Sequence, residues 1–148
     1  MPFRKLLPVA LITGASRGIG AATARRLASS GFDLRLIARS AEQLEVLAAE
    51  LRQDGSHVET CQLDLCDSAA ITPAISDLCA RGPAPDVVIN NAGAAWTGPL
   101  AEMPLDRWQW LLQLNLTSVF QVCQAVLPAL RQAGGGLIIN VSSHAARH

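Results

Sequence analysis

The chain has 148 residues, 50% of them hydrophobic, with 12 Lys plus Arg against 12 Asp plus Glu and no net formal charge. That length suffices for one domain over 1–148, and the balanced charge argues against nucleic acid or an anionic membrane surface as a partner. The four cysteines include no CxxC pair, and His57, His144 and His148 lie away from them, so the spacing speaks against a metal site and for small buried thiols in a reducing cytoplasm.

Near the start, Arg4-Lys5 followed by Leu6-Leu7-Pro8-Val9-Ala10-Leu11-Ile12 imitates the charged and apolar regions of a signal peptide. Pro8 interrupts the run, however, and a glycine-rich stretch follows at once, so a first core strand over Val9–Thr13 explains it better. From there, apolar runs alternate with amphipathic stretches, the pattern of βαβ units and a parallel sheet. Further strands are expected at Asp33–Ala38, His57–Leu63, Asp86–Asn90 and Leu137–Ser142, with helices near Ile19–Ser30, Ala41–Asp54, Ser68–Arg81 and Leu105–Gln132. The second helix is the clearest. Leu44, Leu47, Ala48 and Leu51 share one face, and Ser40 with Gln43 has the form of a capping box.

The last helix is apolar around much of its circumference, through Trp108, Leu111, Leu112, Leu114, Leu116, Val119, Phe120, Val122, Val126 and Leu127. It should therefore be covered on more than one side. No stretch reaches the ~18 uninterrupted apolar residues of a membrane span.

The strongest chemical signal is Thr13-Gly14-Ala15-Ser16-Arg17-Gly18-Ile19-Gly20, between the first strand and the first helix. Gly14 permits a tight turn, while Gly18 and Gly20 let phosphates approach the backbone and the helix pack close to the strand. A pyrophosphate would then meet helix-terminal N–H groups and the helix dipole. The alternative is a glycine-rich turn that binds nothing. The strand-turn-helix setting favours binding.

The spacing TGxxxGxG resembles that of the short-chain dehydrogenase/reductase family. So do, in order, Asp64-Leu65 after the third strand, Asn90-Asn91-Ala92-Gly93 after the fourth, Asn115 in the long helix and Ile139-Asn140-Val141-Ser142-Ser143 on the fifth. The resemblance implies a doubly wound α/β Rossmann sheet of order 3-2-1-4-5, ending before the family's last strands. It further implies hydride transfer between a nicotinamide cofactor and a small carbonyl or secondary-alcohol substrate.

Gly14, Ser16, Arg17, Gly18, Ile19 and Gly20 would cradle the dinucleotide, and Asp64 with Leu65 would hold the adenine. Asn91, Ala92 and Gly93 would line the ribose. Asn115 resembles the asparagine that holds a water in a proton relay, although a helix-packing role is its plainer reading. Ser143 matches the catalytic serine, with Ser142 as the neighbouring candidate. Asp64 could instead simply cap the next turn.

Cofactor choice follows from charge. An acid after the second strand would accept from the ribose 2′-OH of NAD, whereas an arginine accommodates the 2′-phosphate of NADP. This chain has Arg39 there, and Arg17 could reach the same phosphate from the glycine loop; solvated surface arginines are the alternative.

The chain departs from the family pattern in containing no tyrosine. The family's YxxxK motif, sixth and seventh strands and substrate loops would follow His148. The expectation is that these 148 residues alone are inactive. In the full-length enzyme, the Leu105–Gln132 helix would join a homodimer or homotetramer. A non-catalytic NADP-binding or sensor domain, or an inactive truncated fragment, is the alternative.

Overall fold

The computed structural model describes residues 7–143. In chain order the elements are β1 (Val9–Thr13), α1 (Gly18–Ser29), β2 (Asp33–Ala38), α2 (Ala41–Gln53), β3 (Val58–Gln62), α3 (Ser68–Ala80) and β4 (Val87–Asn90). A 3-10 turn at Leu100–Glu102 leads to α4 (Leu105–Leu112), a π-helical segment (Gln113–Thr117), α5 (Ser118–Gln132) and β5 (Leu137–Asn140). The five strands form one parallel sheet in the order β3-β2-β1-β4-β5. This is the doubly wound fold that the sequence predicts.

Side chains alternate across each strand, so β1 feeds two cores at once. Ala10 and Ile12 join Leu34, Leu36 and Ile89 beneath α1 and α2, where Ala24, Leu44, Leu47 and Leu51 meet them. Leu11 joins Ile37 and Val88 on the opposite face, under Ile71, Ile75 and Leu78 of α3 and Val122, Val126 and Leu130 of α5. Burial on both faces is why β1 and most of β2 and β4 read as continuous apolar runs. Arg35 is the exception. It lies 3% exposed in β2, with Nε 3.6 Å from Oε2 of Glu59, its register partner on β3.

Most boundaries fall within a residue of expectation. β3 starts at Val58 rather than His57, β4 at Val87 rather than Asp86, and β5 ends at Asn140 rather than Ser142. The last difference has a simple cause. Val141 N–H still bonds to Asn90 O at 2.9 Å, but β4 has ended and offers no further partner.

The expected long helix is instead two α-helical stretches joined through the π segment. By length and composition, Leu105–Gln132 is long and apolar enough to cross a membrane. One side nevertheless packs on α3, while Leu116 and Phe120 remain 65% and 62% exposed. Leu137, Ile139 and Val141 are exposed along the β5 edge as well.

Only Cys79 of the four free thiols is buried. Cys61, Cys66 and Cys123 are half-buried, which corrects the expectation of uniformly buried thiols, because each sits at a strand end, loop or helix flank rather than mid-core. Burial raises the thiol pKa of Cys61, Cys66 and Cys79. Among the described residues no group of three His, Cys, Asp or Glu could hold a metal. His144, His148 and the Arg4-Lys5 pair lie outside the described residues.

Candidate functional site

The chain leaves β1 toward β2 on one side, and β4 lies on the other, so the carboxyl ends of β1 and β4 flank the point where the strand order reverses. Open α/β sheets bind ligands in the crevice there. The glycine loop after β1 and the 90–93 stretch after β4 occupy this edge, and the residues that join them were only partly evident from sequence.

Thr13, 1% exposed at the end of β1, accepts on Oγ1 from the backbone N–H groups of Asn91 at 3.0 Å and Ala92 at 3.1 Å. Asn91 answers by donating Nδ2 to Thr13 O at 3.1 Å and Gly14 O at 3.2 Å. The two loops are thereby one rigid unit. Glycine is required where they meet. A Cβ on Gly20 would lie 2.2 Å from Gly14 O and 2.6 Å from Asn91 Nδ2, and one on Gly14 would lie 2.8 Å from Ala92 Cα.

Gly18 differs from both. It has φ +57° and open space around it, so its backbone is uncovered at the first residue of α1. The sequence reading gave Gly18 and Gly20 one shared role, whereas here Gly20 serves packing and Gly18 serves access. Ile19, 66% exposed, and the half-buried Ser16 lie on the same loop.

Arg17 is the N-cap residue of α1 and is exposed. Arg39 is the first residue beyond β2 and is also exposed. Ala15 N–H bonds to Ile37 O at 3.1 Å, which fastens the glycine loop to the end of β2 close to Arg39. Among the described residues neither guanidinium enters an ion pair, in contrast to Arg25, Arg52 and Arg81. Arg17 thus stands at the N-terminus of α1, where the helix dipole adds to its attraction for an anion, and Arg39 follows the strand end to which the glycine loop is bonded.

After β3, Asp64 accepts on Oδ1 from Cys66 N–H at 2.9 Å, so it does cap its own turn while remaining exposed. The Leu65 side chain is 6% exposed and belongs to the core, which leaves only its backbone to a ligand.

Asn115 lies within the π segment, a rare distortion that concentrates at functional sites. Its Oδ1 accepts from Ala94 N–H at 3.0 Å and its Nδ2 donates to Ala94 O at 2.8 Å, holding the strand-exit loop just past Gly93. Asn115 is exposed, and the clamp on Ala94 explains the residue better than helix packing does.

On the neighbouring strand, Asn90 and Asn140 are register partners, and Asn90 Nδ2 donates to Asn140 Oδ1 at 2.9 Å. This pair ties the ends of β4 and β5 together, in keeping with the sheet-steadying role that the resemblance implies for the 90–93 stretch, although sequence reasoning did not single out Asn140 as the partner. Ser143 lies three residues past β5 at the same edge.

Comparison with known proteins agrees with this geometry. Residues 8–148 match the family model described as short chain dehydrogenase. D-threitol dehydrogenase of Mycolicibacterium smegmatis is 38% identical over 138 residues, covering 93% of this chain and 53% of that protein. The chain thus spans about half the length of the curated relatives it matches.

A metagenomic short-chain oxidoreductase solved in complex with NADP superposes with TM-score 0.89 at 40% identity, over 95% of this chain and 64% of the other. A short-chain dehydrogenase from Sphingobium yanoikuyae solved with NADPH gives 0.86 at 40%, over 93% and 54%. With the family model matched over residues 8–148 of this chain and the TGxxxGxG and NNAG stretches locked together at the sheet edge, this chain belongs to the short-chain dehydrogenase family.

Proposed function

We propose that the full-length polypeptide is an NADP(H)-dependent oxidoreductase acting between a carbonyl and a secondary alcohol. The observation that carries this reading is the glycine loop with its open Gly18 backbone, beside Arg17 and Arg39, which enter no ion pair among the described residues. A phosphate-bearing dinucleotide suits this donor set. Backbone N–H groups meet the pyrophosphate, and guanidinium forks match a 2′-phosphate. Two solved structures similar to this chain were determined with NADP or NADPH, which supports the choice.

When bound, the nicotinamide supplies or accepts the hydride. The protein's part is position and electrostatics. Asp64 would accept from the adenine amino group with the carboxylate oxygen not committed to Cys66 N–H, and Leu65 would contribute its backbone. Asn91, Ala92 and Gly93 would line the ribose. Ser143 would donate to the substrate oxygen as charge develops there. Asn115 retains one N–H and one lone pair beyond its bonds to Ala94, enough to hold a water in a proton relay.

We read 1–148 as one dinucleotide-binding domain. Having no tyrosine to serve as the family's proton donor, it would bind cofactor without turnover by itself. The exposed Leu116 and Phe120 fit a homodimer or homotetramer formed through the Leu105–Gln132 helix, and the four free thiols fit a cytoplasmic setting.

The test is cofactor oxidation by the full-length protein across a panel of ketones and aldehydes. Turnover with NADPH that Ser143→Ala reduces at least ~100-fold supports the proposal. Absence of turnover with every carbonyl, despite tight cofactor binding, would favour the non-catalytic sensor.

A further inference from the structure

Two glutamines outside the motifs make a connection that the proposed function leaves unexplained. Gln113 is the first residue of the π segment and Asn115 the third. Residues two apart on a helix point in different directions. Gln113 accordingly grips one loop while Asn115 grips another. Gln113 Nε2 donates to Leu65 O at 3.1 Å, in the loop after β3, whereas Asn115 holds Ala94 in the loop after β4.

The grip on the first loop is doubled. Gln113 Nε2 also donates to Oε1 of Gln121 at 3.3 Å, and Gln121 Nε2 donates to Ser68 O at 3.0 Å and Ser68 Oγ at 2.8 Å. Both glutamines are half-buried, and their amide groups bridge the π segment along the side that faces Leu65 and Ser68. A canonical α-helix facing a loop needs only apolar contact. Three hydrogen bonds from the two amides hold Leu65 and Ser68, and a fourth links the amides to each other across the π segment.

We propose that Gln113 and Gln121 are positioning residues that couple the loop after β3 to the loop after β4 through the π segment, so that ordering one orders the other. The inference rests on the cofactor reading, in which the first loop holds the adenine and the second lies toward the nicotinamide end. A ligand carrying only the adenine half should then order Ala94, which it cannot touch. Contiguity alone does not establish coupling, so the test measures coupling itself.

The experiment is backbone hydrogen exchange on the full-length polypeptide, with and without saturating adenosine 2′,5′-bisphosphate. It compares wild type with Gln113→Met and Gln121→Met, which keep length and helix propensity but lose the amide. In wild type the ligand should slow exchange both in 64–68 and at Ala94, the latter by about threefold or more. In Gln113→Met, 64–68 should remain protected on binding while Ala94 exchanges at its ligand-free rate, and in Gln121→Met, which keeps the bond from Gln113 to Leu65, the protection of Ala94 should be reduced.

Protection of 64–68 with an unchanged Ala94 in wild type overturns the coupling and leaves the cofactor reading intact. So does Ala94 protection that persists in both variants. No protection anywhere at saturating bisphosphate or NADPH overturns the cofactor reading and the coupling with it. Thermal melting of the ligand-free variants separates misfolding from lost coupling, and Gln121→Met keeps the question open to measurement if Gln113→Met fails to fold, because it leaves the bond to Leu65 in place.

Discussion

Replacing Gly20 with alanine should be far more damaging than replacing Gly18, although both belong to the same motif. The new Cβ at position 20 would lie 2.2 Å from Gly14 O, 2.9 Å from Gly14 C and 2.6 Å from Asn91 Nδ2. Two of these neighbours are backbone atoms, which cannot rotate away, so the loop or α1 must shift by about 1 Å, at the upper end of overpacking costs, ~3 kcal/mol. Displacing Asn91 would also weaken its bonds to Thr13 O and Gly14 O, worth ~1 kcal/mol each. Better helix propensity returns ~1 kcal/mol. The net loss is ~4 kcal/mol, or a fall in Tm of roughly 8–16 °C for a chain of this size.

At Gly18 an added Cβ meets nothing within 4 Å, and the cost is that of φ +57°, ~1–2 kcal/mol. Thermal unfolding followed by circular dichroism gives both values. A Gly20→Ala protein within ~1 kcal/mol of wild type, or one more stable than Gly18→Ala, would refute the packing argument.

Asn115→Ala should cost about 1–2 kcal/mol through loss of the two bonds to Ala94, and should speed exchange of the Ala94 amide. Asn115→Asp, which keeps the acceptor but not the donor, should fall between; equal exchange at Ala94 in all three proteins would remove the clamp from the account. Cysteine alkylation gives an independent check on burial. Because burial raises the thiol pKa of Cys61, Cys66 and Cys79, less thiolate is present at a given pH, and all three should react with iodoacetamide more slowly than a free thiol, Cys79 slowest. Peptide mapping that found Cys79 the fastest would contradict the packing around α3.

The course of the chain was legible because strands buried on both faces spell out as apolar runs and the Ser40 cap marks a helix start, its Oγ accepting from Gln43 N–H at 3.4 Å, whereas the sheet order came from the family resemblance. The π segment was not legible. It shifts a hydrogen-bond pattern over five residues without disturbing the apolar content, and neither periodicity nor propensity records that. Arg35 was passed over in a strand read as core, because its burial depends on Glu59 of the neighbouring strand.

Within the site, glycine positions were readable while their division of labour was not, since what Gly20 and Gly18 each face depends on a loop some 70 residues away in sequence. Thr13 could have been suspected from a polar side chain closing an apolar strand. The Asn90–Asn140 and Gln113–Gln121 pairs depend on tertiary register and gave no local signal.

The central claim is that Arg17 and Arg39 await a 2′-phosphate at the end of a dinucleotide. Calorimetric titration of the full-length protein with NADPH and NADH tests it most directly. Charge-assisted bonds to a guanidinium are worth about 1.5–3 kcal/mol, so NADPH should bind roughly 10- to 150-fold tighter than NADH, and Arg39→Ala should erase most of that difference while leaving NADH affinity nearly unchanged. Equal affinities, tighter NADH, or an Arg39→Ala protein that still prefers NADPH as strongly as wild type would contradict it.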